Sequence, residues 1–183
     1  MHVAEKLARS HLGIGLGDEE LRRLAEAGEA RRAGRGEILM EEGVPGRMLV
    51  VVLDGEVEIL KRDDGGEPHR LARMGADTVL GEVGLLLEEP SSATVRVTRP
   101  SSLFLLDRDR FRGLLEGDQA SATPLLLALA RIVARRLRRM NERAVELCDE
   151  YEEALSDAGT ARGGARLAEL ARFKEQLQSE WNF

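Results

Sequence analysis

An α+β chain, with an antiparallel jelly-roll flanked by N-terminal helices and a long C-terminal helix, is the fold class this sequence predicts. Three observations carry it. Helical apolar spacing occurs before residue 28 and again after residue 107. Between residues 37 and 107 the chain changes to short β-rich runs broken by Gly, Pro and Asp, the rhythm of a sandwich or barrel. A long apolar series from Leu137 to Ala154 then repeats at alternating spacings of 3 and 4. With 183 residues and 43% hydrophobic content, the chain is long enough to bury a core.

Residues 1–33 are assigned to an N-terminal helical segment. The run Asp-Glu-Glu-Leu-Arg-Arg-Leu-Ala-Glu-Ala from Asp18 reads as a helix capped by Asp18, with acids in its first turn and Leu21, Leu24 and Ala25 as its apolar stripe. The roll is assigned to residues 34–107. Residues 56–62 alternate in part, Asp63-Asp-Gly-Gly66 is a hairpin turn followed by Pro68, and residues 70–74, 93–97 and 103–107 supply further strands.

Residues 108–155 return to helix. A short helix covers residues 108–115, and a long one starts near Thr123-Pro124, with proline at a helix start. Leu137, Met140, Ala144, Leu147, Tyr151 and Ala154 lie along one seam of that helix, which predicts a homodimer. The last segment, 156–183, opens with a glycine-containing linker over residues 156–164. It closes with an amphipathic stripe of Leu167, Leu170, Phe173, Leu177 and Trp181, a surface for the chain itself or for a protein partner.

Composition narrows the function. A net charge of −6 and an aromatic content of 3% disfavour non-specific nucleic-acid binding. Six arginines fall between Arg131 and Arg143, ahead of an acidic run over residues 146–153. Without interleaved aromatics they read as a solvated helix face, and nucleic acid is not expected as a partner. Cys148 is the single cysteine, so neither a disulfide within the chain nor a cysteine metal cluster forms, and a reducing cytoplasm is expected. The first residues lack the apolar core of a secretory leader, and no run is long enough to span a bilayer. His2, His11 and His69 are scattered rather than clustered as a metal-binding jelly-roll requires, and there is no phosphate-binding Walker loop or nucleophile elbow. The expectation is a non-enzymatic protein without a metal.

The densest signal is Leu80-Gly-Glu-Val-Gly-Leu-Leu-Leu-Glu-Glu-Pro-Ser-Ser-Ala-Thr-Val95. Together with the glycine-bounded segment 34–46, a hairpin-like segment 51–60 with Gly55 at its turn, and the strand 103–107, it resembles the cyclic-nucleotide-binding domain family. That family includes the β-rolls of catabolite-activator-like regulators and protein-kinase regulatory subunits. The resemblance covers roughly residues 18–143. It implies a β-roll with a phosphate-binding cassette formed by Gly81, Glu82, Val83, Gly84, Leu85, Ser91, Ser92, Ala93 and Thr94. Glu82 would accept the ribose 2′-hydroxyl, the Gly84 and Leu85 N–H groups would face the phosphate, and Thr94 would add a hydroxyl.

The implied ligand is cAMP or cGMP. Ser91, however, stands where the family carries its phosphate-pairing arginine, which weakens that expectation. Arg96 and Arg70 are the alternative sources of a cation. No helix-turn-helix pattern follows the long helix. The expected function is that of a regulatory sensor coupling its pocket to the C-terminal helices. A ligand-free copy serving as a dimeric assembly module stands as the alternative.

Overall fold

The computed structural model describes residues 3–117, 119–157 and 170. Its elements are α1 (Val3–Arg9), α2 (Asp18–Ala27), β1 (Glu29–Ala33), β2 (Ile38–Met40), β3 (Met48–Arg62), β4 (Pro68–Met74), β5 (Val79–Leu80), α3 (Glu82–Leu87), β6 (Thr94–Asp107), α4 (Arg108–Gly117) and α5 (Gln119–Asp157). The chain divides into two compact units, Met1–Val133 and Ala134–Phe183. The first unit holds the N-terminal helices, the roll, α4 and the start of α5.

All six strands belong to one sheet in the order β1-β6-β3-β4, with β2 also on β6 and β5 also on β3. Its spine is the antiparallel pair β3 and β6, matched from Met48↔Asp107 to Leu60↔Thr94. Side chains alternate between the faces of a strand, and β3 uses both for burial. Leu49, Val51 and Leu53 join Phe104 and Leu106 in a core shared with Leu7, Leu24, Phe111 and Leu129 of the helices. Val50, Val52 and Val57 face the other way, against Ala33, Leu80, Val95, Val97 and Leu103. One sheet thus builds the helical core on one side and the roll's interior on the other.

Several sequence expectations change. Gly55 is not a hairpin turn: β3 runs straight through it, because β6 stays paired on both sides and absorbs the irregularity as register shifts around residues 52–57. Gly55 has φ +109, and a Cβ there would lie 2.1 Å from Ser101 Oγ. The two strands expected at 93–97 and 103–107 are likewise one strand, β6. Segment 1–33 is not all helical, since β1 pairs with β6 from Glu29↔Leu105 to Ala33↔Ser101.

Helix ends shift as well. Gly17 is the N-cap of α2 in extended conformation, and Asp18 is its first helical residue, with no side-chain cap bond. Glu19, in the same first turn, instead binds Arg22 and Arg23 at 2.7 and 2.9 Å. α5 begins at Gln119 and holds Pro124 inside it, because a proline near a helix start forfeits only one early backbone bond. Ser156 and Asp157 extend α5 rather than opening a linker. The rest of that linker and the tail stripe, apart from Leu170, lie outside the described residues. The turn at residues 63–66 is as expected, with Asp63 Oδ1 accepting the Gly65 and Glu67 amides at 2.9 Å each. No helix among the described residues is long and apolar enough to cross a membrane.

Candidate functional site: the turn and helix after β5

β5 pairs with β3 through Val50↔Leu80 and delivers the chain to Gly81. Gly81 is left-handed, at φ 82 and ψ 3. A Cβ on it would lie 2.2 Å from the Met48 carbonyl oxygen and 2.5 Å from Met40 Cε, so glycine is required on both conformational and steric grounds. The turn starts α3 and sends its residues to opposite fates. Glu82, Gly84 and Leu85 are buried, whereas Val83, Leu86 and Leu87 are exposed. Glu82 is 1% exposed, an acid carried out of water by the backbone that Gly81 sets up.

The amides divide too. The Leu85 N–H donates to the Gly81 carbonyl at 3.0 Å, so the expectation that it faces a phosphate is not met. It forms the first intrahelical bond of α3. The Val83 and Gly84 amides precede that bond and have no acceptor within the helix.

The segment carrying Ser91 is fastened to the turn ahead of β3. Pro90 bridges Pro45, the Ser91 N–H donates to the Val44 carbonyl at 2.8 Å, and the Ser91 carbonyl accepts the Gly43 N–H at 2.9 Å. Both backbone groups of Ser91 are used. Its Oγ and the Gly84 Cα lie 3.3 and 3.5 Å from the point a Cβ on Gly46 would occupy, which sets Ser91 beside α3. Ser92 is exposed and its carbonyl accepts Lys61 Nζ at 2.8 Å. Ala93 is half-buried, and Thr94 Oγ1 accepts the Glu42 amide at 3.1 Å. The Glu42 carboxylate in turn accepts Lys61 Nζ at 2.6 Å and the Arg62 amide at 2.9 Å. Those two donors, Lys61 first, hold it below the ordinary carboxylate range.

Neither alternative cation joins this group. Arg96 binds Glu58 at 2.8 Å and lines a polar cavity of about 510 Å³ with Arg35, Glu56, Arg73 and Thr98. Strand parity explains it: Val95 and Val97 take the roll's interior, so Arg96 takes the opposite face. Arg70 is exposed on β4, opposite Leu60. The residue that sequence reasoning missed is Arg108. Its Nη2 donates to the Gly46 carbonyl at 2.7 Å and to the Gly84 carbonyl at 2.8 Å. Its Nε is buried without a hydrogen-bond partner. The only sequence signal was its place where a strand pattern passes into a helix pattern.

In the second unit, Leu137, Met140, Leu147 and Tyr151 are 38, 69, 50 and 43% exposed, and Ala144 is half-buried. On the same helix Arg138 lies 3.7 Å from Glu142, and Arg143 lies 3.0 Å from both Glu146 and Glu150. Cys148 is a buried free thiol. Among the described residues no group of three or more His, Cys, Asp or Glu is arranged to hold a metal ion.

Residues 30–118 match the family described as the cyclic nucleotide-binding domain. A cyclic nucleotide-binding domain from Methylobacillus flagellatus KT superposes with a TM-score of 0.70 at 27% identity, covering 78% of this chain and 80% of that one. The N-terminal domain of a transcriptional regulator from Streptomyces coelicolor A3(2) superposes at 0.63 with 32% identity, covering 75% of this chain and 95% of that one. The CRP-like cAMP-activated global transcriptional regulator of Mycobacterium tuberculosis is 28% identical over 143 residues, 78% of this chain. The match spans 62% of that regulator's length.

Proposed function

The chain belongs to the cyclic-nucleotide-binding domain family, and from that premise we propose that it is a non-enzymatic regulatory sensor of the cytoplasm. Its cassette takes the ribose of a nucleotide-like ligand, and its C-terminal helices carry the response. The placement of Glu82 carries this reading. A carboxylate held at 1% exposure directly after a left-handed glycine is positioned to accept ribose hydroxyls. The output route is supported by packing within the first unit. Arg108 ties α4 to α3, and Leu125, Ala128, Leu129 and Ile132 root the start of α5 in the helical core. A ligand acts on such a route only through different affinities for two helix arrangements.

A relative is described as cAMP-activated, which makes cAMP the first ligand to test. Calorimetry should find cAMP binding weak in the natural chain, because Ser91 brings no charge to a phosphate. Ser91→Arg should strengthen it by about tenfold or more. Nanomolar cAMP binding by the natural chain would overturn this account of Ser91. Failure of Ser91→Arg to bind any cyclic nucleotide would favour the ligand-free assembly module. The exposed apolar seam of Leu137, Met140, Leu147 and Tyr151 on α5 supports a protein partner, beginning with a second copy of the chain.

A further inference from the structure

We propose that the polar cavity on the face of the sheet opposite the roll's interior is a second ligand site, suited to an acidic amino acid. The cavity has a volume of about 510 Å³, and the turn between β1 and β2 lines it together with β3, β4 and β6. Strand register explains the convergence. Glu58 of β3 pairs with Arg96 of β6 on one side and Arg73 of β4 on the other. The three form one row across strands about 4.8 Å apart. The turn at Arg35 and Gly36 is fastened to β6, with the Gly36 N–H donating to the Val97 carbonyl at 2.8 Å. A Cβ on Gly36 would meet nothing within 4 Å, so that side is open.

The charges lining the cavity do not cancel. Three guanidiniums, of Arg35, Arg73 and Arg96, share it with the two carboxylates of Glu56 and Glu58. Arg96 is spent on Glu58, with Nε and Nη2 each 2.8 Å from the same oxygen, Oε1. Arg73 faces that acid across the β3–β4 pair, yet neither it nor Arg35 has a hydrogen bond or ion pair among the described residues. Arg22, Arg31 and Arg112, elsewhere in the first unit, do find acids. Two guanidiniums therefore remain for a ligand, and their planar forks match carboxylates.

The acids supply the other half of the match. Glu56 Oε1 accepts the Thr98 hydroxyl at 2.6 Å, and Glu58 uses its own Oε1 for Arg96. Oε2 of each keeps acceptor capacity for a further donor. Glu58 is 8% exposed, and an ammonium beside a carboxylate so far out of water is attracted more strongly than in bulk solvent. A ligand with two carboxylates and one ammonium answers both free arginines and an acid. Its single net negative charge also cancels the cavity's excess positive charge. Aspartate and glutamate carry this set. A dicarboxylate without the ammonium leaves the acids facing like charge, and a neutral amino acid leaves one arginine unanswered.

The test is calorimetry on the full chain with aspartate and glutamate at one salt concentration. Succinate and glutarate, which lack the ammonium, asparagine and glutamine, and inorganic phosphate serve as comparisons. Aspartate or glutamate should bind about tenfold or more tightly than both its dicarboxylate and its amide. Arg35→Gln and Arg73→Gln should each weaken that binding by about tenfold or more. Both side chains are exposed, so each variant should keep the natural urea midpoint. Amide NMR shifts should move at Gly36 and Thr98 and stay fixed at residues 81–85, which separates this cavity from the cassette. Equal or tighter binding of a dicarboxylate, an amide or phosphate would overturn the proposal. So would unchanged affinity in either variant. Absence of aspartate and glutamate binding at millimolar concentration would reduce the cavity to a solvated face. None of these outcomes bears on cyclic-nucleotide binding by Ser91→Arg, so the two readings fail separately.

Discussion

Arg108, the first residue of α4, donates through Nη2 to the Gly84 carbonyl inside α3 at 2.8 Å, and the same nitrogen reaches the Gly46 carbonyl at 2.7 Å. A cation at backbone carbonyls interacts favourably with the negative end of a short helix. The contact also makes one side chain the junction of three segments: the cassette helix, the turn before β3 and the helix that leads to α5. Arg108→Ala strands two carbonyls and should lower unfolding free energy by about 2 kcal/mol, read from urea denaturation. Arg108→Lys should recover less than half of that loss, because the shorter lysine side chain does not carry its ammonium to the place of Nη2 between the two carbonyls. Full recovery by lysine would mean that charge alone matters here.

Gly81 and Gly36 form a matched test of why the cassette turn needs glycine. Both have positive φ, 82 and 87. A Cβ on Gly36 meets nothing within 4 Å, whereas one on Gly81 meets the Met48 carbonyl at 2.2 Å. Gly36→Ala should cost only the conformational penalty, about 1–2 kcal/mol. Gly81→Ala adds a backbone collision and should cost more than about 3 kcal/mol, with loss of any ligand binding. Equal midpoints for the two variants in urea would contradict the steric account.

The legibility of the sequence follows the same physics. The turn into α3 was readable because Gly81 is a position where only glycine fits, left-handed at φ 82 and with only 2.2 Å between a Cβ there and the Met48 carbonyl oxygen. The turn at residues 63–66 was readable from local chemistry as well. β1 was not, because Glu29–Ala33 buries only Ala33 and lacks an alternating pattern. Its strand form comes from pairing with β6, a partner some 70 residues away. Gly55 misled because a left-handed glycine marks a turn in a hairpin and a bulge within a continuous strand equally well. Only the path of β6 separates the two cases. The roles of Arg96 and Arg108 depended on strand parity and on a strand–helix junction, neither of which residue spacing specifies.

Glu42 gives a prediction in pH. Lys61 and the Arg62 amide hold its carboxyl below the ordinary value of 4.5, so the folded chain binds that proton less tightly than the unfolded one. The ionised form therefore stabilises the fold fully above pH 4.5, and this contribution is lost as pH falls below it through the folded-state value. Carboxyl NMR should place the Glu42 titration below 4.5 in the natural chain. In Lys61→Met it should move up towards that value. Because Lys61 also holds the Ser92 carbonyl, the variant should loosen residues 91–94, seen as faster amide exchange there.

The seam on α5 leads to the prediction about assembly. Leu137, Met140, Leu147 and Tyr151 are exposed large apolar side chains at coiled-coil spacing on a helix otherwise covered in charge. Pairing two such seams about a two-fold axis would bury all four residues on each helix. Ala144 at the middle would let the helices approach closely, with less apolar area than a leucine there would give. That argues for a dimer of moderate affinity, sensitive to each large residue. Light scattering at micromolar concentration should report twice the 20.2 kDa chain mass. Leu137→Asp combined with Leu147→Asp should report the chain mass alone, since two buried and unpaired carboxylates per helix cost far more than such a seam supplies. Ala144→Leu separates a seam from a merely exposed stripe. In a paired seam it should shift dimer dissociation by about tenfold or more, in either direction, as added apolar area competes with crowding. In an unpaired helix it would change no mass at any concentration.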